Sequence, residues 1–201
     1  MMRSMTAFFL ATSLLLLVTI RAHTQGAVRE TADVVGQGDA GPVVSEGGAS
    51  LIRTANGITV AVKMPTPIPF TYNYPPPNAF QPTVIMGAPE VFTGWAFVFN
   101  YPDLCSDPCD SNDLGVDKPA LGGAYNFAGH PSGGGTLRLA GHVSIGETPF
   151  GATHARLENP LGAEIHLAIA PHGTLQPDLM PTQINTPIGS APLWWLAFFT
   201  P

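Results

Sequence analysis

The sequence predicts an all-β protein, folded as a single β-sandwich or barrel-like domain of short antiparallel strands. Its 22 glycines and 21 prolines make up about a fifth of the 201 residues, well above their usual share of ~12 %. Only 11 % of the residues are charged, against a usual ~25 %, which argues against long helices and against charge-driven disorder. Short apolar stretches between glycine- and proline-rich loops are typical of sandwiches and barrels.

Residues 1–25 predict a signal peptide, because Arg3 precedes an apolar run, Ala7–Ile20, that is followed by a short polar stretch. This run is shorter than the ~17 to 25 residues of a membrane span. Without this segment and its two arginines, six basic residues face 14 acidic ones, and an acidic surface disfavours nucleic acid and anionic membranes. We therefore expect a secreted or periplasmic chain with no membrane span, whose partner is an unidentified extracytoplasmic ligand.

Residues 26–48 show no helical or alternating periodicity and predict a flexible leader, so the β domain is expected at 49–201. The domain opens with Asn56-Gly57, which stands between the apolar pair 51–52 and alternating apolar positions in 58–62. Asn-Gly in this setting predicts a hairpin with a type I′ turn, since both central positions of that turn need a positive φ.

Residues 64–89 contain eight prolines, interleaved with Phe70, Tyr72, Tyr74 and Phe80. No central strand tolerates that density of proline, so we expect an extended, partly polyproline loop inserted into the domain. Two interpretations are open. The segment is either an aromatic recognition loop or an ordered cover whose rings pack on the core.

The remainder of the chain predicts strands near 91–99, 124–128, 136–145, 163–170 and 193–199, with a turn or so of helix within 175–183. The last of these strands contains Trp194 and Trp195 near its start. Its mostly apolar sequence predicts a closing strand buried on both faces. The alternative is an aromatic platform for a sugar or a peptide.

Cys105 and Cys109 predict one disulfide, because an even pair in an exported chain is normally bonded; the alternative is a metal-binding pair or a redox dithiol, for which the two-residue spacing and a second pair are absent from the sequence. Aspartates are concentrated around this pair, and Ca²⁺ coordination needs several carboxylates and carbonyls. The candidate calcium-loop residues are Asp103, Asp107, Asp110, Asp113 and Asp117. A plain solvated acidic loop is the alternative interpretation.

Two predicted strands place histidines near a carboxylate. The period-2 alternation of 163–170 sends Glu164 and His166 to one face, joined by His172 if the strand continues past Pro171. His142 lies on the corresponding face of 136–145, so these side chains converge if the two strands are neighbours. Imidazole and carboxylate ligands suit zinc, copper or iron. The alternative is the ordinary polar outer face of half-buried strands.

The sequence contains no clear catalytic motif. There is no His-Glu-x-x-His, and residues 142–146 resemble a nucleophile elbow only with His142 in place of its first glycine. We therefore expect an exported, non-catalytic module with a binding or structural role outside the cytoplasm. The alternatives are a metal-binding protein or metalloenzyme using the His/Glu face, and a calcium-stabilised extracellular module.

A series of short motifs resembles a group of uncharacterised secreted bacterial β-rich proteins. The motifs, in order, are Arg53-Thr54-x-Asn56-Gly57, Thr93-x-Trp95-x-Phe97-x-Phe99-Asn100-x-Pro102, Cys105, Cys109, Ala128-Gly129-His130, Asn159-Pro160-x-Gly162-Ala163-Glu164-Ile165-His166-Leu167 and His172-Gly173. The resemblance spans about 51–186 and implies export and a shared β-rich fold, without a catalytic residue. The strand 163–167 is also similar to the histidine-containing strand of CHRD domains, which are secreted β-rich modules.

Overall fold

The computed structural model describes residues 26–75, 84–106 and 108–201, so the expected signal peptide lies outside the described residues. Eight strands make up the sheet: β1 Val28–Val35, β2 Val43–Thr54, β3 Gly57–Pro65, β4 Glu90–Phe99, β5 Gly122–Pro131, β6 Thr136–Ser144, β7 Glu164–Thr174 and β8 Trp195–Phe199. Helix α1 spans Met180–Asn185, and 3₁₀ turns occur at Pro102–Leu104, Ser111–Asp113, Pro177–Leu179 and Ala191–Leu193. Among the described residues, no helix has the length and apolar character needed to cross a membrane.

The strands form one antiparallel sheet in the order β5-β4-β7-β8-β1-β2-β3-β6. The sheet curls until its two outer strands, β5 and β6, lie side by side. There His130 Nε2 is 2.7 Å from the Arg138 carbonyl oxygen. Within the described part of the chain no backbone ladder joins β5 to β6, which leaves a seam between them. The all-β prediction is confirmed, in the form of a nearly closed barrel.

The interior of the barrel is filled by the inward-facing side chains of every strand. Ile165, Leu167 and Ile169 of β7 are fully buried there, as the predicted alternation requires, together with Leu137 and Leu139 of β6. Such a core excludes water from the lumen, because small barrels are filled by their own side chains.

Phe127 of β5 is packed between glycines on the two flanking strands, its ring against β4 and its backbone against β6 across the seam. Phe127 of β5 packs against the core cluster, and a Cβ built on Gly94 of β4 would lie only 2.4 Å from the Phe127 Cζ atom. A Cβ on Gly141 of β6 would lie 2.3 Å from the Phe127 carbonyl oxygen. Gly94 therefore makes room for the Phe127 ring, and Gly141 allows the backbones of β5 and β6 to approach closely at the seam.

One end of the barrel is closed by a buried arginine. Arg53 on β2 is 1 % exposed, and its Nε donates to Glu30 Oε1 of β1 at 2.5 Å. Its Nη1 donates to the Ala163 carbonyl oxygen at 2.5 Å, just before β7 begins. The guanidinium thus joins β1, β2 and the loop that precedes β7.

The opposite end is closed by residues 66–75, the part of the proline-rich segment described directly after β3. The hydroxyls of Tyr72 and Tyr74 both donate to the carboxylate of Glu90, which is 1 % exposed at the start of β4. The Tyr72 ring also lies edge-on to the inward-facing Trp195, with centroids 4.9 Å apart. Burial and the hydrogen bond to Glu90 raise the pKa of both tyrosines, that of Tyr74 to about 12.

For Tyr72 the cover interpretation is confirmed, since its ring packs on the core, and the Tyr74 ring packs on Tyr72 with centroids 4.2 Å apart. Phe70 is 56 % exposed and has a φ of +64°, a conformation that is uncommon outside glycine. Phe80 lies outside the described residues.

The prediction of a flexible leader at 26–48 is wrong. Residues 28–35 form β1, which lies between β2 and β8, and β2 already begins at Val43. The sequence of β1 shows no apolar alternation because its inward positions are Glu30, Ala32 and Val34. The first of these side chains is charged and the second is small, so Val34 is the one large apolar side chain among them. Glu30 fits that position because it pairs with Arg53.

The predicted β2–β3 hairpin is confirmed, but its type I′ turn is wrong. Thr54 pairs with Gly57, so the two loop residues are Ala55 and Asn56, and neither has a positive φ. The Asn56 N–H donates to Thr54 Oγ1 at 3.2 Å, which favours the earlier turn. Gly57 is instead required at the first position of β3, where its φ is +152° and a Cβ would lie 2.3 Å from the Val143 carbonyl oxygen.

Candidate functional site

The residues of the predicted His/Glu metal face do not converge. Strands β6 and β7 are separated in the sheet by β3, β2, β1 and β8 on one side, so the condition for their meeting fails. His142 is exposed on β6, where its Nδ1 is 2.9 Å from Thr59 Oγ1 on the neighbouring strand β3. Sequence alternation gave the correct face for His142, but strand adjacency is a non-local property that the pattern does not contain.

Glu164 and His166 do meet on the outer face of β7. His166 Nε2 lies 2.6 Å from Glu164 Oε1, and the imidazole is flanked by the rings of Phe99 and Phe198 at 5.1 and 4.8 Å. Burial lowers the pKa of His166, and the nearby carboxylate only partly opposes this effect. The neutral imidazole is therefore favoured, as a donor to Glu164.

His172 lies further along the same outer face but is completely buried. Its Nε2 is 2.7 Å from Thr93 Oγ1, which in turn accepts from Trp95 Nε1 at 3.0 Å. The side chain of Gln183 on α1 donates to the His172 carbonyl oxygen at 3.1 Å. Burial lowers the pKa of His172 to about 4, so at neutral pH it is an uncharged link in a chain that runs from α1 to Trp95.

The structure thus corrects the expected set of His142, Glu164, His166 and His172. Only Glu164 and His166 contact each other, while the other two histidines bond to threonines. In the described parts of the chain, no group of three or more His, Cys, Asp or Glu side chains is arranged to hold a metal ion.

The acidic loop is organised around one buried carboxylate. Asp113 accepts from the backbone N–H groups of Ser106 and Asp110 at 3.1 and 3.0 Å, and from the Ser106 hydroxyl. Burial by itself would raise the pKa of Asp113, but these donors outweigh it and hold the pKa below its ordinary value. Asp110 caps the 3₁₀ turn by accepting from the Asn112 N–H at 2.7 Å.

The predicted calcium loop is therefore not assembled among the described aspartates. The oxygens of Asp110 and Asp113 accept hydrogen bonds from within the loop, while Asp103 and Asp117 are exposed. Asp107 lies outside the described residues. The disulfide Cys105–Cys109 is present as predicted, and it closes the same loop.

The most distinctive concave feature is an aromatic pocket on the outer face of the sheet, with a cavity of about 290 Å³. Two aromatic side chains come from β4, Trp95 and Phe97, and two from loops, Phe150 and Trp194. The Trp95 and Phe150 rings are 5.3 Å apart and nearly perpendicular, at 86°. Those of Phe97 and Trp194 are 5.7 Å apart and nearly parallel, at 19°.

Hydrogen bonds hold the walls of the aromatic pocket. The Phe150 N–H donates to the Ala124 carbonyl oxygen of β5 at 2.7 Å, which brings the β6–β7 loop over the sheet. Trp194 Nε1 donates to the Ile188 carbonyl oxygen at 2.8 Å and fixes the opposite wall. The floor is fixed by the Thr93 bond to Trp95 described above. Both indole N–H groups are thus satisfied within the protein.

The remaining polar lining of the pocket is small. His154 borders it and also borders an adjacent open depression of about 600 Å³, which includes Arg156 and Glu158. Arg156 Nη1 donates to the Gly146 carbonyl oxygen at 3.1 Å, so the guanidinium is held by the turn after β6. The pocket itself is consequently apolar and aromatic, with the polar groups at one border.

Sequence reasoning missed most of this site. The alternation of β4, Thr93-x-Trp95-x-Phe97, does place both rings on one face. Nearly every β4 residue is apolar and buried, however, so the sequence pattern does not distinguish this outer face from the face that forms the core. Trp194 and Trp195 were considered together, whereas they diverge. Trp195 begins β8 and faces the interior, while Trp194 precedes the strand and lies in the pocket. Phe150 comes from a loop and gave no pattern.

Comparisons of the chain with protein-family models, with curated proteins and with solved structures find no match.

Proposed function

We propose that the protein is an exported, non-catalytic module, secreted or periplasmic, that binds a small ligand through the aromatic pocket. The observation that carries this proposal is the pocket itself, in which four aromatic side chains surround about 290 Å³. Small-molecule sites are concave and mostly apolar, with few polar groups. The volume lies near the lower end of their range and suits one compact group of a ligand rather than a large molecule.

The lining of the pocket favours binding over catalysis. Of the described residues that line it, His154 is the one with an ionisable side chain. Nucleophilic mechanisms typically pair the nucleophile with an activating base within hydrogen-bonding reach, and the lining offers no such pair among the described residues. Export is supported by the composition of residues 1–25 and by the Cys105–Cys109 disulfide, which is typical of oxidising compartments.

The experiment is a titration with benzyl alcohol, followed through the indole N–H resonances of the tryptophans by ¹H–¹⁵N NMR. Trp95 and Trp194 line the pocket and Trp195 does not, so the first two resonances should shift and the third should stay in place. Trp194→Ala should abolish the shift of Trp95. Phe198→Ala is the matched control, since its ring lies on the same outer face but contacts His166. Equal shifts of all three indoles, or none, would contradict the proposal.

A further inference from the structure

We propose that the group bound by the aromatic pocket is a quaternary ammonium, such as the trimethylammonium group of a choline-like compound. The inference rests on the proposed function and specifies its ligand. Its basis is the arrangement of Trp95, Phe97, Phe150 and Trp194, which form one perpendicular and one parallel pair. All four side chains line the cavity, and the π faces of aromatic rings attract a cation.

The hydrogen-bonding state of the indoles restricts the ligand further. Trp95 Nε1 donates to Thr93 Oγ1 and Trp194 Nε1 to the Ile188 carbonyl oxygen, so neither N–H is free for a ligand hydroxyl. A sugar or a carboxylate needs such donors, and a primary ammonium needs several acceptors. A quaternary ammonium needs neither, because its charge is shielded by methyl groups. It therefore suits a pocket lined by four aromatic rings, in which, among the described residues, the unpartnered Nδ1 of His154 is the one side-chain group left to bond a polar part of the ligand.

The loop that supplies Phe150 and His154 to the pocket carries more acidic than basic side chains. The chain carries 14 acidic and eight basic residues. The β6–β7 loop beside the pocket brings Glu147 and Glu158, and Arg156 is its one cation, directed to the Gly146 carbonyl oxygen. Glu164 adds a carboxylate on the outer face of β7. A surface with this balance raises the local concentration of cations.

The test compares choline with 3,3-dimethylbutan-1-ol, which has the same shape but a carbon atom in place of the charged nitrogen. Dissociation constants are measured by the same indole-resonance titration at low salt. Choline should bind at least about fivefold more tightly than the alcohol. Trp194→Leu, which retains an apolar side chain but removes the ring, should reduce that preference to nearly onefold. Phe198→Leu should leave it unchanged.

The outcomes separate the two proposals. Tighter binding of choline, lost in Trp194→Leu and retained in Trp194→Phe, supports the ammonium assignment. Equal or tighter binding of the alcohol overturns that assignment and leaves the apolar binding pocket standing. If neither compound nor benzyl alcohol shifts the Trp95 and Trp194 resonances of the folded protein, both proposals are overturned.

Discussion

The hydroxyl of Tyr72 offers the sharpest test of how the barrel end is held. It donates to a carboxylate oxygen of Glu90 while Tyr74 donates to the other, and Glu90 is 1 % exposed. Tyr72→Phe removes one donor but retains the ring, which still packs against Phe92 and Trp195. The substitution therefore isolates the hydroxyl from the packing.

The expected cost follows from the state of the carboxylate. Hydrogen bonds to charged groups contribute ~1.5–3 kcal/mol, and a buried oxygen left without a donor retains its desolvation penalty. We expect Tyr72→Phe to lower the free energy of unfolding by about 2 kcal/mol. For a domain of this size that corresponds to a melting temperature lower by about 4–8 °C.

The assay is urea unfolding of the full chain at pH 7, followed by far-ultraviolet circular dichroism. A double-mutant cycle with Glu90→Gln measures the coupling: against the neutral amide the cost of Tyr72→Phe should fall to about 1 kcal/mol or less. Phe70→Leu is the control, since this ring of the same segment is exposed and should change stability by less than about 0.5 kcal/mol. A cost of Tyr72→Phe below that value, or an equal cost in the Glu90→Gln background, would refute the reasoning.

Three further predictions concern pH, the loops and the seam. Burial beside a carboxylate raises the pKa of Tyr74 to about 12, above its value of ~10 in the unfolded chain. The stabilisation contributed by the protonated hydroxyl is therefore complete below pH 10 and is lost as the pH rises towards 12. Equal free energies of unfolding in urea at pH 9 and pH 12 would contradict this prediction. Asn100→Asp should lower the free energy of unfolding by more than about 3 kcal/mol. The buried amide donates to two loop carbonyl oxygens at 2.7 and 2.8 Å, which a carboxylate would repel. Near wild-type stability of this variant in urea would disprove the prediction. Gly94→Ala should displace Phe127 and accelerate amide hydrogen exchange in β5 and β6. Gly133→Ala is the control and should leave exchange unchanged, since no atom lies within 4 Å of a Cβ built there. Equal exchange rates in the two variants would contradict the role of Phe127 in holding β5 beside β6.

Local sequence patterns were sufficient for much of the fold. The alternation of β7 correctly separated inward Leu167 from outward His166, because the period of a strand depends only on neighbouring residues. The pattern failed for β1, where Glu30 occupies an inward position and its partner Arg53 lies on another strand. In the sequence, an inward-facing charged residue looks like a surface residue. It is recognised as buried only when the position of its partner on the neighbouring strand is known.

The candidate site was less accessible to sequence reasoning for the same physical reason. Its rings come from β4 and from two loops, and Phe150 reaches Trp95 only because its loop bonds to the edge of β5. Conversely, the alternation places His142 and His166 on the correct faces of their strands, but β6 and β7 are not neighbours in the sheet. Which strands are adjacent depends on the topology of the whole sheet, and no short pattern encodes it.

The position of β1 has a consequence for how the chain folds. β1 pairs with β8 through Val35 and Leu196, residues separated by almost the whole described chain. During synthesis, β1 emerges first of the eight strands described and β8 emerges last, so β1 cannot have both edges paired until the whole sheet has been made. Pairings of such high contact order form slowly, since a long loop must close before they contribute. Until then β1 exposes one unpaired edge, so we expect the folding chain to be most prone to association at that edge.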